Sequence, residues 1–256
     1  MAKNTNIQKL LFAKKIIALI EQTLFWGLKI FFGVRPDKKK YSIQIPENFY
    51  SPWLNDNLFN KTYEKIKLNT FLDKYKLYEL WKLLEQIKDK KGEVIEIGVW
   101  RGGSACLIAE KCKVLGLNNK IYAADTFQGL VKASDKDGTY QGGEHADTSE
   151  NIVIDLAKKM NLDNLVLLKG IFPDETAHSI KNLKFKFCHI DVDIYNSAKD
   201  VFNWVWKKMT VGGVVVFDDY GGLLTDGVSK FVDELSLSPN GIIIHNLNGH
   251  AVIIKT

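Results

Sequence analysis

The chain has 256 residues, with 35 Lys+Arg against 30 Asp+Glu, and 46% of it is hydrophobic, too apolar for a disordered chain and ordinary for a globular one. The surplus of +5 is unevenly spread: residues 1–91 hold 18 basic and 9 acidic side chains, and residues 92–256 hold 17 and 21. That distribution excludes a nucleic-acid-binding protein basic throughout, but it is compatible with a basic arm that meets an anionic surface.

In chain order, residues 8–33 read as one helix. Lys15, Gln22 and Lys29 fall on one line, flanked by Lys14 and Glu21, and leave a wide apolar face. The same charges interrupt the apolar run of residues 10–34, so a membrane span is not expected, and no small-x-small cleavage pattern marks a signal peptide. Two readings of this helix stay open. It packs on the rest of the protein or a second subunit, or it lies at a membrane interface, helped by Lys38, Lys39 and Lys40. Residues 41–55, with Pro46 and Pro52, read as irregular. Over residues 57–90, Phe59, Tyr63 and Ile66, then Phe71, Tyr75 and Tyr78, then Leu80, Leu83, Leu84 and Ile87 recur at helical spacing. The expected division is a helical extension over 1–90 and a second domain over 91–256.

From Gly92 the texture changes. Strand-like runs at Glu93–Gly98, Lys120–Asp125, Leu165–Lys169, Phe185–Asp191 and Val211–Asp218 alternate with helical patterns near 103–116, 148–160, 174–181 and 196–209. Such alternation predicts a doubly wound, mostly parallel α/β sheet. Gly241–Leu247 and His250–Lys255 flank Asn248-Gly249 and predict a closing antiparallel hairpin. Phe127–Thr148 lacks periodicity and reads as one long functional loop. The three cysteines, Cys106, Cys112 and Cys188, form no disulfide framework and suit a reducing cytoplasm.

In such sheets ligands bind beyond the carboxyl ends of the strands. The first run ends in Glu96-Ile-Gly98-Val-Trp-Arg-Gly102-Gly103-Ser104, whose glycines let the backbone turn and approach a ligand. Its spacing is not the G-x-G-x-x-G of nicotinamide enzymes. Asp125, about 27 residues beyond Gly98 and at the end of the second run, is placed to accept from ribose hydroxyls. The fourth and fifth runs end in His189-Ile-Asp191-Val-Asp193-Ile-Tyr195 and Phe217-Asp218-Asp219-Tyr220. Adjacent strands would gather Asp191, Asp218 and Asp219, and carboxylates that close need a cation, for which Mg²⁺ with oxygen ligands fits.

These motifs together resemble class I S-adenosylmethionine-dependent methyltransferases. The combination Ile97-Gly-Val-Trp-Arg-Gly-Gly-Ser104, Asp125-Thr-Phe-Gln-Gly-Leu130, Gly170-Ile-Phe-Pro-Asp174, His189–Tyr195 and Val216–Tyr220 resembles the macrocin O-methyltransferase family over about residues 90–256. The resemblance implies a Rossmann-like fold and methylation of a sugar hydroxyl. It implies S-adenosylmethionine along Glu96, Gly98, Val99, Trp100, Gly102 and Ser104, with Asp125 and Thr126 at the ribose and Ile171 and Phe172 at the adenine. It further implies Mg²⁺ on Asp191, Asp218 and Asp219, and Asp191 as the base, also beside the cofactor. Catechol O-methyltransferases place a lysine where this chain has Ile194, which counts against a catechol or phenol acceptor. A non-catalytic protein retaining the fold is the other alternative. Glu144 and His145 of the long loop, with Asp193 and Tyr195, are expected at the acceptor; His178, His189, His245 and His250 are assigned no functional role, and His189 is expected beneath the metal site. A cytoplasmic or membrane-associated homo-oligomer acting on a glycoside, nucleotide sugar or glycan completes the expectation, with no nucleic-acid partner.

Overall fold

The structure of the chain, a computed structural model, describes residues 2–32, 37, 40–45, 50–235, 241–246 and 248–256, without the side chains of residues 2–10, 29, 31 and 32. Gly33, Lys38, Lys39, Pro46 and Leu247, which figure in the expectations above, lie outside the described residues. Two compact units divide at Pro52/Trp53. In the first, helix α1 spans Ala2–Phe32, and the backbone N–H of Ile45 donates to Glu21 Oε1 at 2.6 Å.

A 3₁₀ turn, Pro52–Asn55, straddles the division, and the second unit continues with α2 (Asn57–Ile66) and α3 (Lys74–Gln86). Asp56 and Asp73 cap these helices by accepting from Phe59 N and Lys76 N, which satisfies donors that a helix start leaves open. On α3, Leu77, Leu80, Trp81 and Leu84 recur at the spacing of one helix face, and all are buried. They pack in one cluster with Phe59 and Ile66 of α2, Leu107 and Cys112, and Phe187 and Val216 of the sheet. Residues 53–90 are therefore part of the main core, and the expected boundary near residue 90 falls inside one compact unit. The outer faces of these helices carry the lysines that made the segment resemble an appendage.

The sheet has seven strands in the order β3-β2-β1-β4-β5-β7-β6. They are β1 (Glu93–Ile97), β2 (Ile121–Asp125), β3 (Leu165–Lys169), β4 (Phe185–Ile190), β5 (Met209–Phe217), β6 (Gly241–Asn246) and β7 (His250–Lys255). The first five are mutually parallel, and β7 runs antiparallel to both β5 and β6. Every residue of the central β4 is buried, as expected for a strand covered on both faces. The connecting helices are α4 (Gly103–Val114), α5 (Glu150–Lys159), α6 (Tyr195–Trp206) and α7 (Asp226–Leu235). The expected helix near 174–181 is a 3₁₀ turn at Ala177–Ile180. Helix α7 was not anticipated, although Val228, Phe231 and Val232 give it a buried face. The described residues thus form the expected mostly parallel α/β sheet closed by an antiparallel hairpin, with Gly249 in the hairpin turn at φ +97°.

Strand register positions the site. Ile97 pairs with Ile190, and Ile190 with Phe217. The next residue of each strand, Gly98, Asp191 and Asp218, therefore emerges at one level on adjacent strands. Asp191 N donates to Ile97 O at 2.8 Å and Asp218 N to Ile190 O at 2.9 Å. The strand order reverses between β1 and β4, where open α/β sheets form a ligand crevice.

Candidate active site

The turn after β1 is bent by left-handed residues at Gly98, Trp100 and Gly102. Gly98 has no substitute: a Cβ there would lie 1.5 Å from the carbonyl oxygen of Asp191. Asp125 braces the turn, its Oδ2 accepting from Val99 N (2.7 Å) and Trp100 N (2.9 Å) and its Oδ1 from Phe127 N (2.7 Å). Oδ1 thus keeps one lone pair for a further donor. Gly102 caps α4 without any side-chain cap bond, which leaves the positive end of the helix with the buried Ser104 beside it.

Beyond β4 and β5, carboxylate oxygens of Asp191, Asp193 and Asp219 lie within 4.8 Å of one another. Burial and the neighbouring Asp218, Asp219 and Asp193 hold the Asp191 pKa well above the usual carboxylate value. Burial likewise, with Asp218 and Asp193, raises Asp219, and Asp193 is pushed up to about 6 by burial, against the opposing pull of His145. Asp193 and Asp219 both sit at positive φ, 61° and 66°, and Asp219 Oδ2 is buried without a hydrogen-bond partner. Three half-buried, mutually repelling carboxylates with an orphaned oxygen fit a hard divalent cation such as Mg²⁺.

Asp218 faces a different set of partners. Its Oδ1 lies 2.6 Å from Lys76 Nζ and 3.2 Å from His250 Nε2. His250 Nδ1 lies 2.5 Å from Glu79 Oε2, and Asn246 donates to the other Glu79 oxygen. Burial disfavours charge on Asp218, yet His250 and Lys76 outweigh it and hold its pKa below the usual range. The compact oxygen set therefore contains Asp193 in place of the expected Asp218. Lys76 and Glu79 come from α3, a segment without a recognisable motif, and only the Asp73 cap and the i, i+3 spacing on one helix turn hint that they point together. Gly249 makes room for the lysine, since a Cβ there would meet Lys76 Cε at 2.6 Å.

Other expected residues divide. Glu96 is fully buried and bonds His189 Nδ1 at 2.7 Å through Oε1, while its Oε2 is buried without a hydrogen-bond partner. His189 is fully buried, and it, Asp218 and His250 each offer a ligand atom within 4.8 Å of the others. Val99 and Phe172 are core residues, Phe172 against Trp204, which leaves half-buried Ile171 as the exposed member of its pair. Thr126 Oγ1 donates to Gly129 O. Tyr195 points inward, its hydroxyl 2.5 Å from Glu234 Oε2 and its ring on Phe231, and is withdrawn from the acceptor side.

The loop 127–148 has no regular element but is anchored. Buried Asp137 accepts from Tyr195 N at 2.6 Å through Oδ1 and from Ser134 N and Oγ through Oδ2. Tyr140 and His145 are the loop residues that work against burial at Asp193 and pull its pKa down. Exposed Phe71, of the α2–α3 connection, stacks on Trp100 at 4.2 Å and meets His145 edge-on at 5.7 Å. Glu144 accepts from Gln141 N and Gly142 N, so it shapes the loop. Five of the six non-glycine residues at positive φ among those described, Trp100, Phe127, His145, Asp193 and Asp219, lie in this region; such conformations cluster at functional sites.

Strand order, the turn after β1 and the acids after β4 and β5 define a Rossmann-like α/β fold with a strand-end site. The chain matches the macrocin-O-methyltransferase family over residues 66–240, and it belongs to that family. It is 30% identical over 142 residues to mycinamicin III 3''-O-methyltransferase of Micromonospora griseorubida, covering 50% of this chain and 55% of that protein. It is also 30% identical over 141 residues to demethyldecarbamoylnovobiocin O-methyltransferase of Streptomyces niveus, covering 50% and 53%. The chain thus spans about half the length of the curated relatives it matches. Among solved structures it resembles the O-methyltransferase NovP, with TM-score 0.65, 22% identity and coverage of 73% of this chain and 82% of that one. It also resembles the calicheamicin methyltransferase CalS11, with TM-score 0.60, 18% identity and coverage of 84% and 99%.

Proposed function

We propose that this chain transfers the methyl group of S-adenosylmethionine to a hydroxyl of a sugar-containing acceptor. The observation that carries the proposal is the acid cluster Asp191, Asp193 and Asp219 set directly beside the turn after β1. Family membership supports the reaction class, and a relative named for 4'-O-methylation of a dimethoxy-rhamnosyl tetracenomycin supports a sugar acceptor.

In this reading the cofactor carboxylate meets Ser104 and the first turn of α4, where Gly102 offers no side-chain cap. The open lone pair of Asp125 Oδ1 accepts from a ribose hydroxyl, and Ile171 borders the adenine. S-adenosylmethionine supplies an electrophilic methyl group when bound, and a divalent cation supplies positive charge that favours a deprotonated hydroxyl. Asp191, Asp193 and Asp219 hold that cation. The bound cofactor would supply the methyl group to the acceptor oxygen and keep its sulfur as a thioether, and a carboxylate of this set would take the hydroxyl proton. Asp191 is the expected proton acceptor. Asp193 is a second reading, favoured because it faces Tyr140 and His145 of the long loop. The aromatic surface of Phe71, Trp100 and His145 would hold the acceptor in line.

The test is methyl transfer from labelled cofactor to a panel of sugar nucleotides, glycosides and catechols, with Mg²⁺ added or chelated. Turnover on a sugar that EDTA abolishes is expected. Asp191→Asn and Asp193→Asn should each lower turnover about 10²–10⁴-fold, with S-adenosylhomocysteine affinity nearly unchanged in the second. Activity that survives EDTA would remove the cation from the mechanism. Failure to bind S-adenosylhomocysteine would sink the whole reading.

A further inference from the structure

Helix α1 is the largest feature that the catalytic reading does not use. On one side Ile17, Phe25 and Leu28 are half-buried, and Glu21 accepts from Ile45 N. The opposite arc is apolar and open. Phe12, Ile16, Leu19, Ile20, Leu24 and Ile30 fall on this arc at about 100° per residue, and they range from 44% to 84% exposed. Soluble proteins rarely leave so continuous an apolar stripe in water.

The charge of the chain lies in the same unit. Residues 1–52 carry 9 Lys+Arg and 3 Asp+Glu, and residues 53–256 carry 26 and 27. The whole basic surplus is therefore in the first unit, at +6, and the second unit is near neutral at −1. Lys15 lies on the polar side of α1 in sequence register with Gln22 and Lys29, and Arg35, Lys38, Lys39 and Lys40 follow the helix in the chain. No helix among the described residues is long and apolar enough to cross a membrane, so the stripe has no reading as a span.

We propose that α1 lies in the interface of an anionic lipid surface, with the Phe12–Ile30 stripe turned into the acyl boundary and the lysines toward the headgroups. An apolar arc with a basic polar face is the pattern of interfacial helices, and anionic headgroups attract clustered lysines. A second copy of the chain is the weaker occupant, because docking stripe on stripe would bring +6 against +6. The inference does not depend on the catalytic reading.

The test is flotation of the full chain with vesicles of phosphatidylcholine alone or mixed with phosphatidylglycerol. The chain should float with the mixed vesicles, less so at high salt, and stay behind with phosphatidylcholine alone. Ile16→Glu with Leu19→Glu should weaken binding about tenfold or more, with the thermal transition of the chain unchanged. Lys15→Glu leaves the stripe intact and should weaken binding by a smaller factor, which keeps the test open if the double variant does not fold. Absence of flotation, equal binding to both vesicle types, or unaltered binding by the variants would overturn the proposal. So would a dimer that the double variant converts to monomer, since that shows the stripe covered by a second copy.

Discussion

Lys76 supplies a built-in positive charge to a crowded set of acids. Burial opposes its charge, but Asp218, Asp219 and Asp191 outweigh that and raise its pKa above the usual lysine value. Lys76→Met removes the partner of a buried carboxylate, and the expected loss of stability is about 2–3 kcal/mol in urea denaturation without divalent cations. A loss below about 0.5 kcal/mol would show that the 2.6 Å ion pair does not persist in solution. The acids themselves make a pH-dependent prediction. Asp193 has a folded-state value of about 6, above its ordinary 3.8, so its ionisation costs stability once the pH exceeds the ordinary value, and the full cost is reached above about 6. A bound cation offsets that cost. Adding Mg²⁺ or Ca²⁺ should therefore raise the melting temperature by a few degrees near pH 7.5, and the rise should fade as the pH falls through about 6 and protons take the carboxylates. A rise independent of pH would place the cation elsewhere. The acids were legible because strand-ending Asp191 and Asp218-Asp219 stand out after apolar runs. That Asp193 joins them while Asp218 turns to Lys76 was not, since side-chain direction past a strand end depends on local φ and on partners remote in sequence.

At the scale of elements, the turns carry the constraint. Gly98 and Gly138 both have positive φ, +86° and +60°, but a Cβ at Gly138 meets nothing within 4 Å. Gly138→Ala should thus cost about 1 kcal/mol for the left-handed conformation alone. Gly98→Ala also drives a methyl into the Asp191 carbonyl and should cost several-fold more or prevent folding, as thermal denaturation of the pair would show. Near-equal losses would mean that β1 and β4 can part at their ends. The glycine motif itself announced this turn. The anchoring of the long loop was less visible: Asp137 reads in sequence as one polar loop residue among many, and only the fold sets it against the first amide of α6. Helix α7 is weakly signalled for a related reason: of its five buried residues only Val228, Phe231 and Val232 carry large apolar side chains, and a ten-residue helix gives a short periodic signal.

For the molecule as a whole, residues 53–90 behave as core. Trp81, 1% exposed, packs in the same cluster as Phe187 and Val216 of the sheet. Trp81→Ala should cost about 3–5 kcal/mol and shift the main unfolding transition of the sheet. A separate low-temperature transition for α2 and α3, with the sheet unmoved, would restore the boundary near residue 90. The basic surplus, assigned from sequence to the first third, belongs more narrowly to residues 1–52, because the lysines of α2 and α3 are balanced by the acids of the unit in which they sit. By itself the sequence determined the strands, their alternation with helices, the closing hairpin, the glycine turn and the presence of an acid-rich strand-end site. Those are properties of short contiguous stretches, where hydrophobic period and turn chemistry act locally. Tertiary structure alone decided which acids share a cation-sized space, that Glu96, Val99, Phe172 and Tyr195 face inward, and that α3 delivers Lys76 and Glu79 to the site. Each of these depends on strand register and on packing between segments far apart in the chain, and no local pattern encodes those distances.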